Sequence, residues 1–93
     1  MRELRDIRVD IDEIDDEIIR LYRQRLKLSE EVYLVKKEQN IPVLDSSREE
    51  EKLDAIESRA ESEEEAMRFR NLFSFIMKES REVQQSLFLK GEK

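Results

Sequence analysis

A mostly apolar series of residues, spaced alternately three and four apart, runs along the N-terminal part of the chain; we call it the seam. The seam consists of Leu4, Ile7, Ile11, Ile14, Ile18, Leu21, Arg25, Leu28, Val32 and Val35. This period matches one face of a helix, so it predicts a single helix from about residue 3 to about residue 39. Pro42 ends the helix, because proline disfavours the helical conformation at the residue before it.

The predicted first helix is too long for a compact chain of this size. About 37 residues at 1.5 Å each make a rod of roughly 55 Å, whereas a compact chain of 93 residues is only about 32 Å across. The projecting end has to bury its seam on another surface, and a second copy of the chain is the simplest one. We therefore expect an intertwined homodimer. The alternative is an antiparallel helical hairpin with a frayed end.

Two further helices are predicted after the first. A short second helix opens at the stretch DSSREEEK, where Asp45 and the two serines after it are all favoured N-cap residues. Each serine also has a glutamate three residues later, as in a capping box. The inner face of this helix consists of Leu53, Ile56 and Ala60. A third helix, from about residue 64 to about residue 89, carries the stripe Phe69, Leu72, Phe73, Ile76, Ser80, Val83 and Leu87.

Together these patterns predict an all-α fold of three helices per chain, in the order long, short, long. We expect residues 1–93 to form one domain, because the chain is too short for two. There is one Gly and one Pro, and 45% of the residues are charged, a composition typical of long helices.

Composition also narrows the classes of function. The net charge of −6 argues against general nucleic-acid binding, which needs a basic face. The chain has no Cys and no His, so we expect no thiol chemistry, no metal and no cofactor. No apolar run approaches the length of a membrane span, and the N-terminus is unlike a signal peptide. We therefore expect no membrane association and a cytoplasmic location.

Polar residues interrupt the apolar stripes of both long helices. Arg25 occupies a seam position, and Lys36 lies eleven residues on, close to three turns away on the same face. On the third helix, Ser80 interrupts the stripe and Gln84 follows one turn later. Taken alone, Arg25 has an ordinary explanation, because its side chain can reach solvent or pair with an acid. Two interrupted stripes together favour a pocket for a small dianion, since a buried arginine without an anion is costly.

Two other groups of residues can contribute to such a pocket. The start of the second helix, with Asp45, Arg48 and Glu49, lies between the two long helices. Arg8 is on the same helix as Arg25 but about 25 Å further along the axis, so it does not reach the same pocket within one chain. In an antiparallel dimer, the N-terminal arm of the partner delivers a second Arg8.

Three segments of the sequence, in order and at matching spacings, carry a family resemblance. LRDIRVDIDEIDDEIIRLYRQR contains Arg8 and Arg25, and KKEQNIPVLDSSREE contains a lysine, a Pro-Val-x-Asp turn and an Arg-Glu pair. FSFIMKESREVQQ contains a serine and a glutamine four residues apart. Each segment alone is a weak signal, but together they are specific. From Leu4 to about Leu87, the chain resembles the all-helical (AroQ-type) chorismate mutases.

The resemblance implies a domain-swapped dimer with two equivalent sites and a role for each candidate residue. Arg8 of the partner chain would hold one substrate carboxylate, and Arg25 would bind a carboxylate on its own side, with Ser80 nearby. Lys36 and Gln84 would donate hydrogen bonds to the ether oxygen of the breaking C–O bond.

The start of the second helix completes the implied site. Glu49 would accept from the ring hydroxyl of the substrate, helped by the backbone at Asp45, and Arg48 would support the substrate and the neighbouring acids. The implied catalytic residues are Arg25, Lys36, Glu49 and Gln84.

The implied reaction is the rearrangement of chorismate to prephenate, a step towards aromatic amino acids. A second hypothesis is an isochorismate-pyruvate lyase on the same fold, although Glu49 and the intact stretch PVLDSSREE favour the mutase. A third is a helical dimerisation module without catalysis. The polar interruptions argue against the third hypothesis, because a pure coiled coil limits them to about one.

Overall fold

A computed structural model describes residues 1–91 of the chain. Three helices follow one another, α1 (Leu4–Glu38), α2 (Ser46–Glu57) and α3 (Glu63–Gly91), and residues 1–91 contain no strand. The predicted all-α fold and the long, short, long order of its helices are confirmed. Within the same residues, no helix combines the length and apolar character that a membrane crossing needs.

Local hydrogen bonds fix the linker between α1 and α2. Beyond the end of α1, Asn40 has a left-handed backbone with φ 57°, and the amide of Ile41 donates to the carbonyl of Lys36 at 2.8 Å. This is a Schellman motif with asparagine in the position usually held by glycine. Asp45 is the N-cap of α2, since its carboxylate accepts from the amide of Arg48 at 3.0 Å. Asp45 therefore takes the cap in place of either serine.

α3 is the central helix of the chain. It packs against both α1 and α2, which do not pack against each other within residues 1–91. A small core between α2 and α3 contains Leu53, Ile56 and Met77, with Phe69 and Phe73 against it. Met77 was not in the predicted stripe of α3, and Leu72, which was, is 54% exposed.

α1 uses two different faces. Its buried residues are Ser29 and Tyr33, with Tyr22 and Leu26 partly buried in line with them. Each of these four residues lies one position after a seam residue, which is about 100° round the helix. The nine apolar seam residues themselves stay exposed, at 37% for Ile7 up to 60% for Leu4. The apolar residues of the seam are therefore largely uncovered, while the neighbouring face packs on α3.

The N-terminal half of α1 projects beyond the other helices. Every residue from 1 to 21 is exposed. The chain measures 57 × 29 × 14 Å with a radius of gyration of 17.0 Å, against about 12 Å for a compact chain of this length. The predicted overshoot of the first helix is confirmed.

Candidate functional site

An open cleft of about 190 Å³ lies between α1 and α2, over the surface of α3. Its lining comprises Arg25 and Lys36 from α1, Val43 and Asp45 from the linker, Arg48, Glu49 and Lys52 from α2, and Met77, Ser80, Arg81 and Gln84 from α3. The cleft exists because α1 and α2 both pack on α3 without touching each other. Seven of the eight predicted site residues line it. The eighth, Arg8, lies on the exposed arm of α1, outside the cleft of its own chain.

The cleft is cationic although the chain is acidic. Five of its side chains are Arg or Lys and two are Asp or Glu, an excess of three positive charges, whereas the whole chain carries −6. A concave surface lined by one sign of charge attracts small ions of the other sign. Within residues 1–91, no three His, Cys, Asp or Glu residues converge as metal ligands. The electrostatics therefore suit a small anion.

The Lys36 ammonium is held at the cleft by the chain itself. Its Nζ donates to the main-chain carbonyl oxygen of Val43 at 2.8 Å. The Schellman motif at Asn40 makes this bond possible, because it turns the linker back along the end of α1. An ammonium has three N–H donors, so two remain for a ligand.

Arg25 and Ser80 are connected through Ser29. Ser29 Oγ donates to the carbonyl oxygen of Arg25 at 3.1 Å, and it also hydrogen-bonds the hydroxyl of Ser80. Because Ser29 has a single proton and gives it to the carbonyl, Ser80 is the donor between the two hydroxyls. To donate to a bound carboxylate, the Ser80 hydroxyl therefore has to rotate away from Ser29. Ser29 was not predicted from the sequence, although its position one turn after Arg25 was a usable signal.

Gln84 carries an unused hydrogen-bonding group. The residue is only 7% exposed, and its Oε1 has no hydrogen-bond partner among residues 1–91. A buried polar atom without a partner costs roughly 1–3 kcal/mol. The side-chain amide exchanges its donor and its acceptor by a half turn. Gln84 is thus available to a ligand as donor or as acceptor.

Glu49 is paired with Arg81, which was not among the site residues predicted from the sequence. Arg81 Nη1 donates to Glu49 Oε1, and the two side chains are 27% and 26% exposed. Lys52, which also lines the cleft, was missed as well. Charged residues on helices are mostly solvated, so neither position stood out among the many charges of this chain. The usable signal for Arg81 was its place directly after Ser80.

The fold and the cleft place the chain in a class of all-helical proteins with a cationic cleft that suits a small anion. The family described as chorismate mutase type II matches residues 7–85, most of the 93 residues. The chain belongs to this family of chorismate mutases. The matched range includes every predicted site residue from Arg8 to Gln84, and the predicted resemblance is confirmed.

A curated relative supports the same assignment. The bifunctional chorismate mutase/prephenate dehydratase of Aquifex aeolicus (strain VF5) is 39% identical over 56 residues. The similarity covers 60% of this chain and 16% of the relative. The chain thus corresponds to a small part of that longer protein.

Proposed function

We propose that this chain rearranges chorismate to prephenate, in a cleft completed by a second copy of the chain. One observation carries the proposal. Arg25, Lys36, Glu49 and Gln84 lie far apart in the sequence, yet they line one cationic cleft in a member of the chorismate mutase family.

The reaction is unimolecular, because a C–O bond breaks while a C–C bond forms in the same molecule. It requires no nucleophile, no proton transfer and no cofactor. A protein accelerates it by holding the enolpyruvyl arm over the ring and by stabilising the negative charge that develops on the ether oxygen. An acceleration of about a million-fold, the modest end for enzymes, corresponds to about 8 kcal/mol.

The arginines bind and fold the substrate. Arg25 holds one carboxylate, since a guanidinium presents two parallel donors and keeps its charge. Ser80 lies beside that carboxylate, and Arg48 supports the substrate from α2. Each charged hydrogen bond contributes roughly 1.5–3 kcal/mol. These contacts act in the ground state and in the transition state alike.

The other side chains act on the reacting part of the substrate. Lys36 and Gln84 face the ether oxygen. Lys36 offers its two free N–H groups, and Gln84 offers the NH2 of its side-chain amide once a half turn brings that group to the position of the unpartnered Oε1. Glu49 accepts from the ring hydroxyl, with the backbone at Asp45 beside it. Because charge grows on the ether oxygen during the reaction, its two donors lower the barrier itself.

The exposed seam supports a domain-swapped homodimer. An antiparallel pair of α1 helices in full overlap places Leu4 opposite Val35, Ile7 opposite Val32 and so on to Ile18 opposite Leu21. Every seam position then meets another seam position. A groove lined by Leu28, Glu31, Val32, Val35, Lys36 and Ile41 is open on this face and suits the apolar residues of the partner's N-terminal arm.

The same register carries Arg8 to the cleft. Full overlap places Arg8 of one chain level with Glu31 of the other, between Arg25 and Lys36. The axial distances are about 9 Å and about 8 Å, which a long arginine side chain spans in large part. This register supports the role of Arg8 as a partner-supplied ligand for a substrate carboxylate.

The proposal is tested by assaying the purified protein with chorismate and, separately, with isochorismate. We expect chorismate loss with formation of prephenate. Release of pyruvate from isochorismate in its place would establish the lyase.

A dianionic bicyclic transition-state analogue provides a second readout. At a hundred times its Kd, it stabilises the fold by about 2.7 kcal/mol, which raises the Tm by about 10 °C or more for a domain of this size. A folded dimer with no shift and no turnover would be a dimerisation module.

A further inference from the structure

Arg81 has a position that the proposed reaction does not yet use. It lines the cleft and pairs with Glu49. This ion pair is the most shielded among residues 1–91, with side chains 27% and 26% exposed. By comparison, the side chains of Arg20 and Glu17 are 54% and 61% exposed. An ion pair on an open surface is weak, whereas a shielded charge-assisted hydrogen bond fixes the geometry of both groups.

The contact between Arg81 and Glu49 lies at the part of α2 where the position of the Glu49 carboxylate has to be fixed. Within residues 1–91, α2 packs on α3 and not on α1, so apart from its Asp45 cap the first turn of α2, which carries Glu49, depends on α3 for its position. The apolar contacts of Leu53 and Ile56 begin one turn further along α2. The bond from Arg81 is thus a contact between α3 and Glu49 itself, whereas Arg70 of α3 bonds the neighbouring residue, Glu50.

Charge gives a second reason for the pair. Glu49 is an anion in a cleft that we assign to a dianion, and like charges at close range repel each other. Arg81 offsets the charge of Glu49 while leaving its second carboxylate oxygen, Oε2, without a hydrogen bond from any side chain in residues 1–91. A glutamate held by one oxygen keeps the other for the ligand.

We propose that Arg81 is a positioning residue that holds the Glu49 carboxylate so that its free oxygen accepts from the ring hydroxyl of the substrate. This inference rests on the proposed mutase function. It assigns Arg81 no contact with the substrate, so the effect of replacing Arg81 has to pass through Glu49.

Arg70 offers a matched control on the same pair of helices. It also extends from α3 to α2, where it pairs with Glu57 at 2.9 Å and with Glu50. These bonds, chiefly the one that Arg70 donates to Glu50, raise the pKa of Arg70 above its ordinary value. Arg70 does not line the cleft. Arg70→Gln therefore loosens α2 from α3 without removing a residue that lines the cleft.

The test compares the kinetics and the Tm of Arg81→Gln, Arg81→Lys and Arg70→Gln. We expect Arg81→Gln to lower kcat/KM roughly ten- to a hundredfold, Arg81→Lys to recover part of that loss because it keeps the charge, and Arg70→Gln to lower only the Tm. Equal losses of activity in Arg81→Gln and Arg70→Gln would show a general tether of α2 and overturn the proposal.

A double-mutant cycle with Glu49→Gln decides how Arg81 acts. If Arg81 acts through Glu49, adding Arg81→Gln to the Glu49→Gln variant lowers kcat/KM by a further factor of less than about three. If Arg81→Gln lowers kcat/KM as much in the Glu49→Gln background as in the wild type, Arg81 contacts the substrate directly. If Arg81→Gln alone has the wild-type rate, Arg81 has no role. Either result overturns the inference and leaves the proposed function standing. An inactive wild-type protein would overturn both.

Discussion

Replacement of Lys36 by alanine should lower kcat by about a hundred- to a thousandfold while the protein remains folded. Lys36 Nζ is anchored by its bond to the Val43 carbonyl at 2.8 Å, so the ammonium is in place before a ligand arrives. A donor fixed where charge develops stabilises the transition state more than the bound substrate, so KM should change less than kcat. The measurement is steady-state loss of chorismate, with circular dichroism as the check on folding.

Lys37→Ala is the matched control for this experiment. Lys37 is the next residue of α1 and carries the same charge, but its Nζ lies 6.0 Å from the centre of the Tyr33 ring and outside the cleft. A surface substitution of this kind changes free energies by about 0.5 kcal/mol or less, which is about twofold in rate. Near-wild-type turnover in Lys36→Ala would show that Lys36 does not stabilise the ether oxygen. Equal losses of turnover in Lys36→Ala and Lys37→Ala would show that Lys36 contributes only its positive charge to the surroundings of the cleft.

The length and ends of α1 were predictable because local signals fix them. The seam extends without a break from Leu4 to Val35, and Pro42 leaves no room for the helix to continue. The observed helix, Leu4–Glu38, agrees with the prediction within one residue at each end. Helix length alone then predicted the overshoot.

The direction in which α1 packs inside the chain was not predictable from the seam. The face that meets α3 contains Tyr22, Leu26, Ser29 and Tyr33. Its apolar residues are fewer than those of the seam, and Ser29 lies in the middle of it. Which of two neighbouring faces meets α3 depends on tertiary contacts, because both have helical spacing.

Some residues of the candidate site were predictable from the sequence and others were not. Arg25 and Ser80 stood out because each breaks an apolar stripe, and the structure places both at the cleft. Arg81 and Lys52 do not interrupt an apolar stripe, since each is one of many charged residues on an amphipathic helix. Their place at the cleft follows from the packing of α2 on α3, which no spacing in the sequence specifies.

Mixed dimers of Arg8→Ala and Lys36→Ala chains should regain activity that neither variant has alone. In the proposed dimer, each cleft takes Lys36 from one chain and Arg8 from the other. A heterodimer therefore has one cleft with both wild-type residues and one with neither. Random pairing of equal amounts makes half of the dimers mixed, so about a quarter of the wild-type sites return.

The result separates a shared site from a site made by one chain. If Arg8 served the cleft of its own chain, every cleft in the mixture would lack either Arg8 or Lys36, and activity would stay at the average of the two parents. Lys36→Ala alone leaves at most about 1% of kcat, and loss of the Arg8 contact costs roughly ten- to a hundredfold in kcat/KM. The two variants are unfolded together and refolded so that chains exchange, and the assay is run at low chorismate concentration. Recovery towards a quarter of the wild-type rate requires Arg8 to cross between chains, because only then does a mixed dimer contain a cleft with both wild-type residues.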